Sequence, residues 1–280
     1  MLYTPNNDFL KTFSNQTTPS LTPGTSITPG INTFPAYVEI LSDTVVTEDC
    51  YGILITISNN SASGNARDTL LNIGRDPSGG TSFTTFISNL LCTDAANSGV
   101  GYIRYYFPIW IKSGTALAAQ ASVNNGTVAT LRVWVTLFAA PTHPELMRVG
   151  SYVTAIGAVT GTSRGTTVTP GTSGAEGTYV SLGTPSVPHW WWQCGMGISD
   201  GSMSVGVQFA DIAAGDGTNK ILLLENIPFA TNAAEVVAGV LTMAGCSKEL
   251  AASIEIWGRL SNSLATNDGG YSLAAYGLGG

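Results

Sequence analysis

The chain has 280 residues, a net charge of −7 and only 10 % charged side chains, where an average soluble domain carries about 25 %. Its aliphatic and aromatic content excludes a disordered chain. Its eleven scattered Lys and Arg exclude a basic footprint for nucleic acid, and no apolar run reaches the length of a membrane span.

The first segment, 1–34, is rich in Thr, Pro, Gly and Asn and has no run that could build a core. It reads as an extended N-terminal arm that clasps another subunit. It lacks the apolar core and basic leader of a signal peptide, so synthesis in a cytoplasm is expected and the sequons at Asn15, Asn59 and Asn125 carry no weight. Residues 35–142 read as β-structure. "ILITIS", "GYIRYYFPIWI" from Gly101 and "LRVWVTLF" from Leu131 are aliphatic, aromatic and β-branched, and the last alternates at period two. Residues 143–168 read as a linker with a helical turn at "PELMRV". Residues 169–280 carry "KILLLENIPF" and "YSLAAYGL" as further strands, with another helical turn expected at "TNAAEVVAGVL" from Thr231.

The two halves resemble each other. "TPGTS" occurs at Thr22 and again at Thr169, "YVEILSD" from Tyr37 aligns with "YVSLGTP" from Tyr179, and "CYGILITISNN" from Cys50 with "WWQCGMGISDG" from Trp191. "LNIGRDPSGG" from Leu71 aligns with "ADIAAGDGTN" from Ala210, and "IKSGTALAAQAS" from Ile111 with "LAASIEIWGRLS" from Leu250. The offset drifts from 147 at Thr22/Thr169 to 139 at Leu71/Ala210 and Ile111/Leu250, as loop insertions and deletions would make it. The expected fold is all-β: two tandem antiparallel β-sandwich (jelly-roll-like) domains, 35–142 and 169–280, from an internal duplication, behind the arm.

The most unusual stretch is "PHWWWQCGMGIS", Pro188 to Ser199. As a strand it puts Trp190, Trp192, Cys194, Met196 and Ile198 on one face and Trp191, Gln193 and Gly195 on the other. The first face matches an apolar row in the first copy, so it reads as core. Trp191 and Gln193 point away, as candidates for an interface or a glycan contact, with Asp200 and Gln208 as the nearest polar helpers. A buried indole needs a partner for its N–H, from Gln193 or a nearby loop carbonyl.

Signals for chemistry are weak. His143 and His189 both flank prolines, no G-x-S-x-G elbow occurs, and "GAVTGTS" from Gly157 lacks the P-loop lysine. "AGDGTN" around Asp216 has too few carboxylates for calcium and reads as a turn. Asp211, Glu225, Glu235, Glu249 and Glu255 show no spacing that singles out a catalytic pair. Cys50, Cys92, Cys194 and Cys246 have no zinc spacing and read as buried free thiols. No cofactor or metal is expected, and the chain is not read as an enzyme.

"YYFPIWIKSGTALAAQAS", Tyr105 to Ser122, resembles a recurring segment of tailed-bacteriophage virion proteins through Phe107, Pro108, Ile109, Ile111, Gly114, Thr115 and the run Leu117 to Gln120. The arginine usual in that pattern is missing from the first copy, while Arg259 occupies its place in the second, where Ser253 and Ile254 replace Gly-Thr. The resemblance implies a virion structural protein, a capsid decoration (cement) or head–tail accessory component made in the host cytoplasm. It would partner itself, with a trimer favoured, and other virion proteins such as the major capsid protein. A double-jelly-roll major capsid protein and a carbohydrate-binding receptor module are the alternatives.

Overall fold

The computed structural model describes residues 9–16, 23–59, 67–94, 102–123, 130–141, 144, 147–159, 163–198, 206–232, 235–239, 246–263 and 271–280. His143, Asp200 and the sequon at Asn125 lie outside them.

The first ten strands are β1 (Phe9–Ser14), β2 (Thr25–Ile27), β3 (Gly30–Ile31), β4 (Val38–Leu41), β5 (Cys50–Asn59), β6 (Arg67–Asp76), β7 (Thr84–Asp94), β8 (Tyr102–Phe107), β9 (Ala116–Val123) and β10 (Leu131–Pro141). The next ten are β11 (Tyr152–Ile156), β12 (Thr166–Val168), β13 (Val180–Gly183), β14 (His189–Ile198), β15 (Gly206–Gly215), β16 (Lys220–Asn232), β17 (Glu235–Gly239), β18 (Cys246–Leu250), β19 (Ile256–Asn262) and β20 (Tyr271–Gly279). β10 shows why such segments become strands. Leu131, Val133, Val135 and Leu137 are buried while Arg132, Trp134 and Thr136 are only partly so, and each aliphatic side chain buried this way stabilises by about 1.5–3 kcal/mol.

Each half is an eight-position antiparallel sandwich. In the first, β1 with β2, then β4 to β10 in turn, fill positions one to eight. β1, β10, β5 and β8 lie side by side, giving the order 1-8-3-6, and β4, β9, β6 and β7 give 2-7-4-5. In the second, β11 with β12, then β13, β14, β15, β16, β18, β19 and β20 repeat both orders, with β17 added beside β16. This is the strand order of a jelly roll. Four of the five pairs of segments aligned in the sequence land on the same position in the two units. The exception is the Thr22/Thr169 pair, because Thr25–Ile27 forms β2 whereas Thr169 to Ser173 follows β12, where Gly171 bridges Ser261 as Gly30 pairs with Ser122.

The agreement extends to irregularities. β4 slips against β9 between Glu39 and Leu41, and β13 against β19 between Ser181 and Gly183. In position five Asn89 has φ 54° and Asn226 φ 53°. Each donates its backbone N–H over 2.7 Å to a side chain in position four, Asn72 Oδ1 and Asp211 Oδ1 respectively. Such bulges leave an unpaired backbone group that a neighbouring side chain must satisfy, and Asn tolerates the left-handed conformation they need.

The units share their sheets. One ten-stranded sheet joins β8 to β17 by a parallel pairing at Tyr102 and Ala238, and the other joins β7 to β11 at Ile87 and Val153. The C-terminal strand β20 is buried at all nine positions. Tyr271, Leu273 and Ala275 enter the second core, and Ala274, Tyr276 and Leu278 pack on the first.

Three expectations are corrected. The segment 1–34 is not a free arm where it is described: β1 and β2 pair with β10, and β3 with β9, because position one of the first sandwich would otherwise be empty. Likewise the linker 143–168 carries β11 and β12, which pair with β20 as position one of the second. The helical turn expected from Thr231 is instead the end of β16 and the short strand β17, drawn into the ladder by tertiary pairing.

Continuous sheets predict one cooperative unfolding transition. Scanning calorimetry of the whole chain is expected to give a single peak whose calorimetric and van't Hoff enthalpies agree; two resolved peaks would show that the units fold separately.

Candidate functional site: the tryptophan strand and the seam between the units

β14 lies between β18 and β20 and has no open face. Cys194 and Met196 point into the second core, as the alternation requires. Trp192 joins them, fully buried, and donates its indole N–H to the Lys248 carbonyl at 2.9 Å. The acceptor comes from β18 rather than from Gln193 or a loop.

The alternation fails one residue earlier. β14 slips against β18 between His189 and Trp191. Across this bulge Trp190 and Trp191 both pack on the first unit's core, with ring centroids 6.4 Å apart, while the buried His189 ring sits 5.4 Å from Trp192. Trp190 therefore packs on a different core from Trp192, contrary to the period-two reading, at the end of β14 where β18 carries one extra residue against it. The Arg148 guanidinium lies 4.6 Å from the Trp190 ring centroid and reaches Glu249 at 3.4 Å, so a paired cation covers that indole.

Behind β14 the halves close on a tyrosine node. Tyr105 of β8 donates its hydroxyl to the Leu91 carbonyl at 2.5 Å. Tyr276 of β20 accepts the Leu91 N–H at 2.6 Å and donates to the Asn89 carbonyl at 3.2 Å. The two rings meet edge to face at 5.3 Å. Burial raises both phenols above their ordinary value, so they stay protonated and able to donate. Gly195 is where β14 crosses this node: a Cβ there would stand 2.3 Å from the Tyr105 hydroxyl, so only glycine lets the strand approach.

The two residues singled out in the sequence thus lie at a boundary, but an internal one. Trp191 is half-buried against the first core and Gln193 is 1 % exposed. Neither forms an open platform for a sugar. Gln208 is fully buried too.

The other candidate groups are scattered or engaged. Asp211, 1 % exposed, accepts the Arg259 Nε and Nη2 donors at 2.8 and 2.7 Å through Oδ2. Glu176, which sequence reasoning missed, reaches the same Arg259 at 3.4 Å, and burial followed by the nearby Asp211 raises its carboxyl. No run or spacing marks Glu176, since tertiary packing alone brings it there. Glu249 is paired with Arg148, and Glu255 accepts the Ser181 hydroxyl at 2.5 Å. Asp216 accepts backbone N–H groups from Thr218 and Asn219, the turn read from the sequence. Among the described residues no group of three or more His, Cys, Asp or Glu is arranged to hold a metal ion. Burial pushes the Cys50 and Cys194 thiols up to about 12, which keeps them protonated and unreactive.

No protein-family model matches the chain, and no curated protein matches it in sequence. Among solved structures it is similar to the CBM22-1–CBM22-2 tandem domain of Paenibacillus barcinonensis Xyn10C, at 9 % identity over 97 % of this chain and 98 % of that one, with a TM-score of 0.28. It is also similar to a chain of Sulfolobus Turreted Icosahedral Virus, at 10 % identity over 96 % and 90 % with a TM-score of 0.34, and to one of Broad Bean Stain Virus, at 10 % over 94 % and 90 % with a TM-score of 0.34. Overlap at this level places no activity on the chain.

Two outcomes follow from the seam. Trp192→Ala is expected to lose about 3–5 kcal/mol in chemical denaturation, as truncation of a buried large aromatic does, and Tyr276→Phe about 1–3 kcal/mol, from the backbone groups it leaves without partners. His189 supplies a pH dependence. Burial lowers its folded pKa below the ordinary 6.5, so the unfolded chain takes up a proton that the folded one refuses. Stability contributed by neutral His189 is present above the unfolded value and is lost as pH falls toward the folded one. Denaturation midpoints measured across that window are expected to fall less steeply in His189→Gln than in the parent.

Proposed function

We propose that the chain is a non-enzymatic structural component of a virus particle: a capsid decoration or head–tail accessory protein of a tailed bacteriophage, located in the virion after synthesis in the host cytoplasm. The observation that carries the reading is the weld between the units. Two jelly rolls of identical strand order, inferred to descend from one duplicated unit, share both sheets and a tyrosine-sealed seam. That makes a rigid block, suited to bearing load between neighbours. The charge-poor composition and the segment from Tyr105 to Ser122 support the same reading. The repeated strand order also favours a second reading, a double-jelly-roll major capsid protein.

Self-association has a physical basis on the surface. On β16, β17 covers only Phe229 to Asn232, so the described residues put no strand beside that edge before Phe229. Ile221 and Leu222 stand on that stretch, 59 % and 41 % exposed, with Lys220 as the nearest charge. Trp110 is 40 % exposed, its indole N–H donated to Asp49 at 3.3 Å. Uncovered edges and apolar side chains of this kind are what partner subunits bury. The proposed partners are further copies of the chain, with a trimer favoured because closed symmetry prevents open fibres, and other virion proteins such as the major capsid protein.

Light scattering on the purified chain and mass spectrometry of purified particles test the proposal. A closed oligomer that weakens in an Ile221→Lys, Leu222→Lys variant, together with fixed copies per particle, is expected. A copy number dominating the virion would favour the capsid reading. A strict monomer at high micromolar concentration that is missing from particles would overturn both.

A further inference from the structure

The outer face of the first unit carries a built cleft of about 610 Å³ between β4 and the turn that leads into β7, within the ordinary range of small-ligand sites. Tyr37 and Phe83 form its aromatic wall, with ring centroids 5.8 Å apart at 51°. Glu39, Thr81, Ser82 and Thr84, all exposed, supply a carboxylate and hydroxyls around it.

The wall is held in advance of any ligand. One side of Tyr37 rests on the backbone of Gly74, where a Cβ would stand 2.7 Å from the ring. The Tyr37 hydroxyl shares a 2.5 Å hydrogen bond with Thr85. The turn is fixed by the buried Asp76, whose carboxylate accepts the Ser78 and Ser82 N–H groups, each at 2.9 Å. Pre-set rings and hydroxyls reduce the ordering cost of binding.

The second unit lacks this site at the equivalent place. Register pairs Asn72 with Gln120 and Asp211 with Arg259, so Tyr179 corresponds to Tyr37, Arg259 to Gln120, Ser181 to Glu39 and Ala213 to Gly74. There the ring of Tyr179 is flanked by the Arg259 guanidinium at 4.6 Å and the Lys220 ammonium at 5.4 Å from its centroid. Ser181 donates its hydroxyl to Glu255. The second unit fills this place with its own cations, whereas Glu39 is the one charged side chain that lines the cleft of the first.

We propose that the Tyr37–Phe83 cleft is a binding site for a neutral saccharide, one per chain. The rings offer apolar faces to the C–H side of a sugar, and Glu39 with the hydroxyls of Thr81, Ser82 and Thr84 bonds its hydroxyl groups. No Lys or Arg lines the cleft, which disfavours phosphate, sulfate or carboxylate ligands. The site is independent of the particle role proposed above and is tested on the isolated full chain.

Saturation-transfer NMR and calorimetry with cellotetraose, maltotetraose and chitotetraose are the measurement, with tetramethylammonium as a cationic probe. Saturable binding of at least one oligosaccharide at one site per chain is expected. Tyr37→Ala and Phe83→Ala should weaken it by about tenfold, the scale of one lost aromatic contact. Glu39→Gln, an exposed change that leaves the fold intact, should weaken it several-fold, and Tyr179→Ala should leave it unchanged. Binding of none of the three oligosaccharides overturns the proposal. So does preference for tetramethylammonium, two sites per chain, or binding that survives both Tyr37→Ala and Glu39→Gln.

Discussion

The fold depends on how one strand edge is satisfied. β7 ends the 2-7-4-5 half of the first unit, and β11 covers its outer side only at Ile87. Beyond that point the N–H and C=O of Leu91 and the C=O of Asn89 face a buried seam, where an unpaired backbone group costs as much as a lost hydrogen bond. Tyr105 and Tyr276 supply the missing partners from opposite units. Two phenols therefore do what another strand would do, and they fix the angle at which the units meet.

Much of the remaining architecture follows from that junction. β14 must lie against β7, so position 195 must be Gly, and the back of β20 must be apolar, so Ala274 and Leu278 stand beside Tyr276. β20 becomes buried on both faces, and its sequence loses the alternation of a surface strand. The tryptophan row belongs to the same seam. Trp192 fills one core, Trp190 and Trp191 lie against the other, and the ladder with β18 slips by one residue beside them.

The two units keep a common frame and diverge on its outer face. Asn72 and Asp211 perform the same task, holding the bulge at Asn89 or Asn226. Asp211 carries a charge that Asn72 does not, and Arg259 replaces Gln120 to neutralise it. A buried carboxylate is tolerated only with such a partner. That paired exchange draws in Glu176, sets a cation beside Tyr179, and gives the second unit an ion network where the first has an aromatic cleft.

The sequence by itself determined the strand character of both halves, their correspondence in the segments that begin at Tyr37, Cys50, Leu71 and Ile111, and the burial of Trp192, Cys194 and Met196. These are local properties: period-two patterning, turn residues and matching hydrophobic order can be read without knowing which strand lies beside which. It could not place residues 9–31 or 152–168, because short Thr- and Gly-rich strands bury little apolar surface of their own and form only when β10 or β20 offers an open edge. Nor could it locate the bulge before Trp192, since a slip of one residue is defined only against the neighbouring strand. The tertiary structure alone decided that Trp191 and Gln193 face the partner unit of their own chain, that Glu176 meets Arg259, and that Tyr37 meets Phe83. Each of these contacts joins segments distant in sequence, and nothing in a linear pattern records the distance between them.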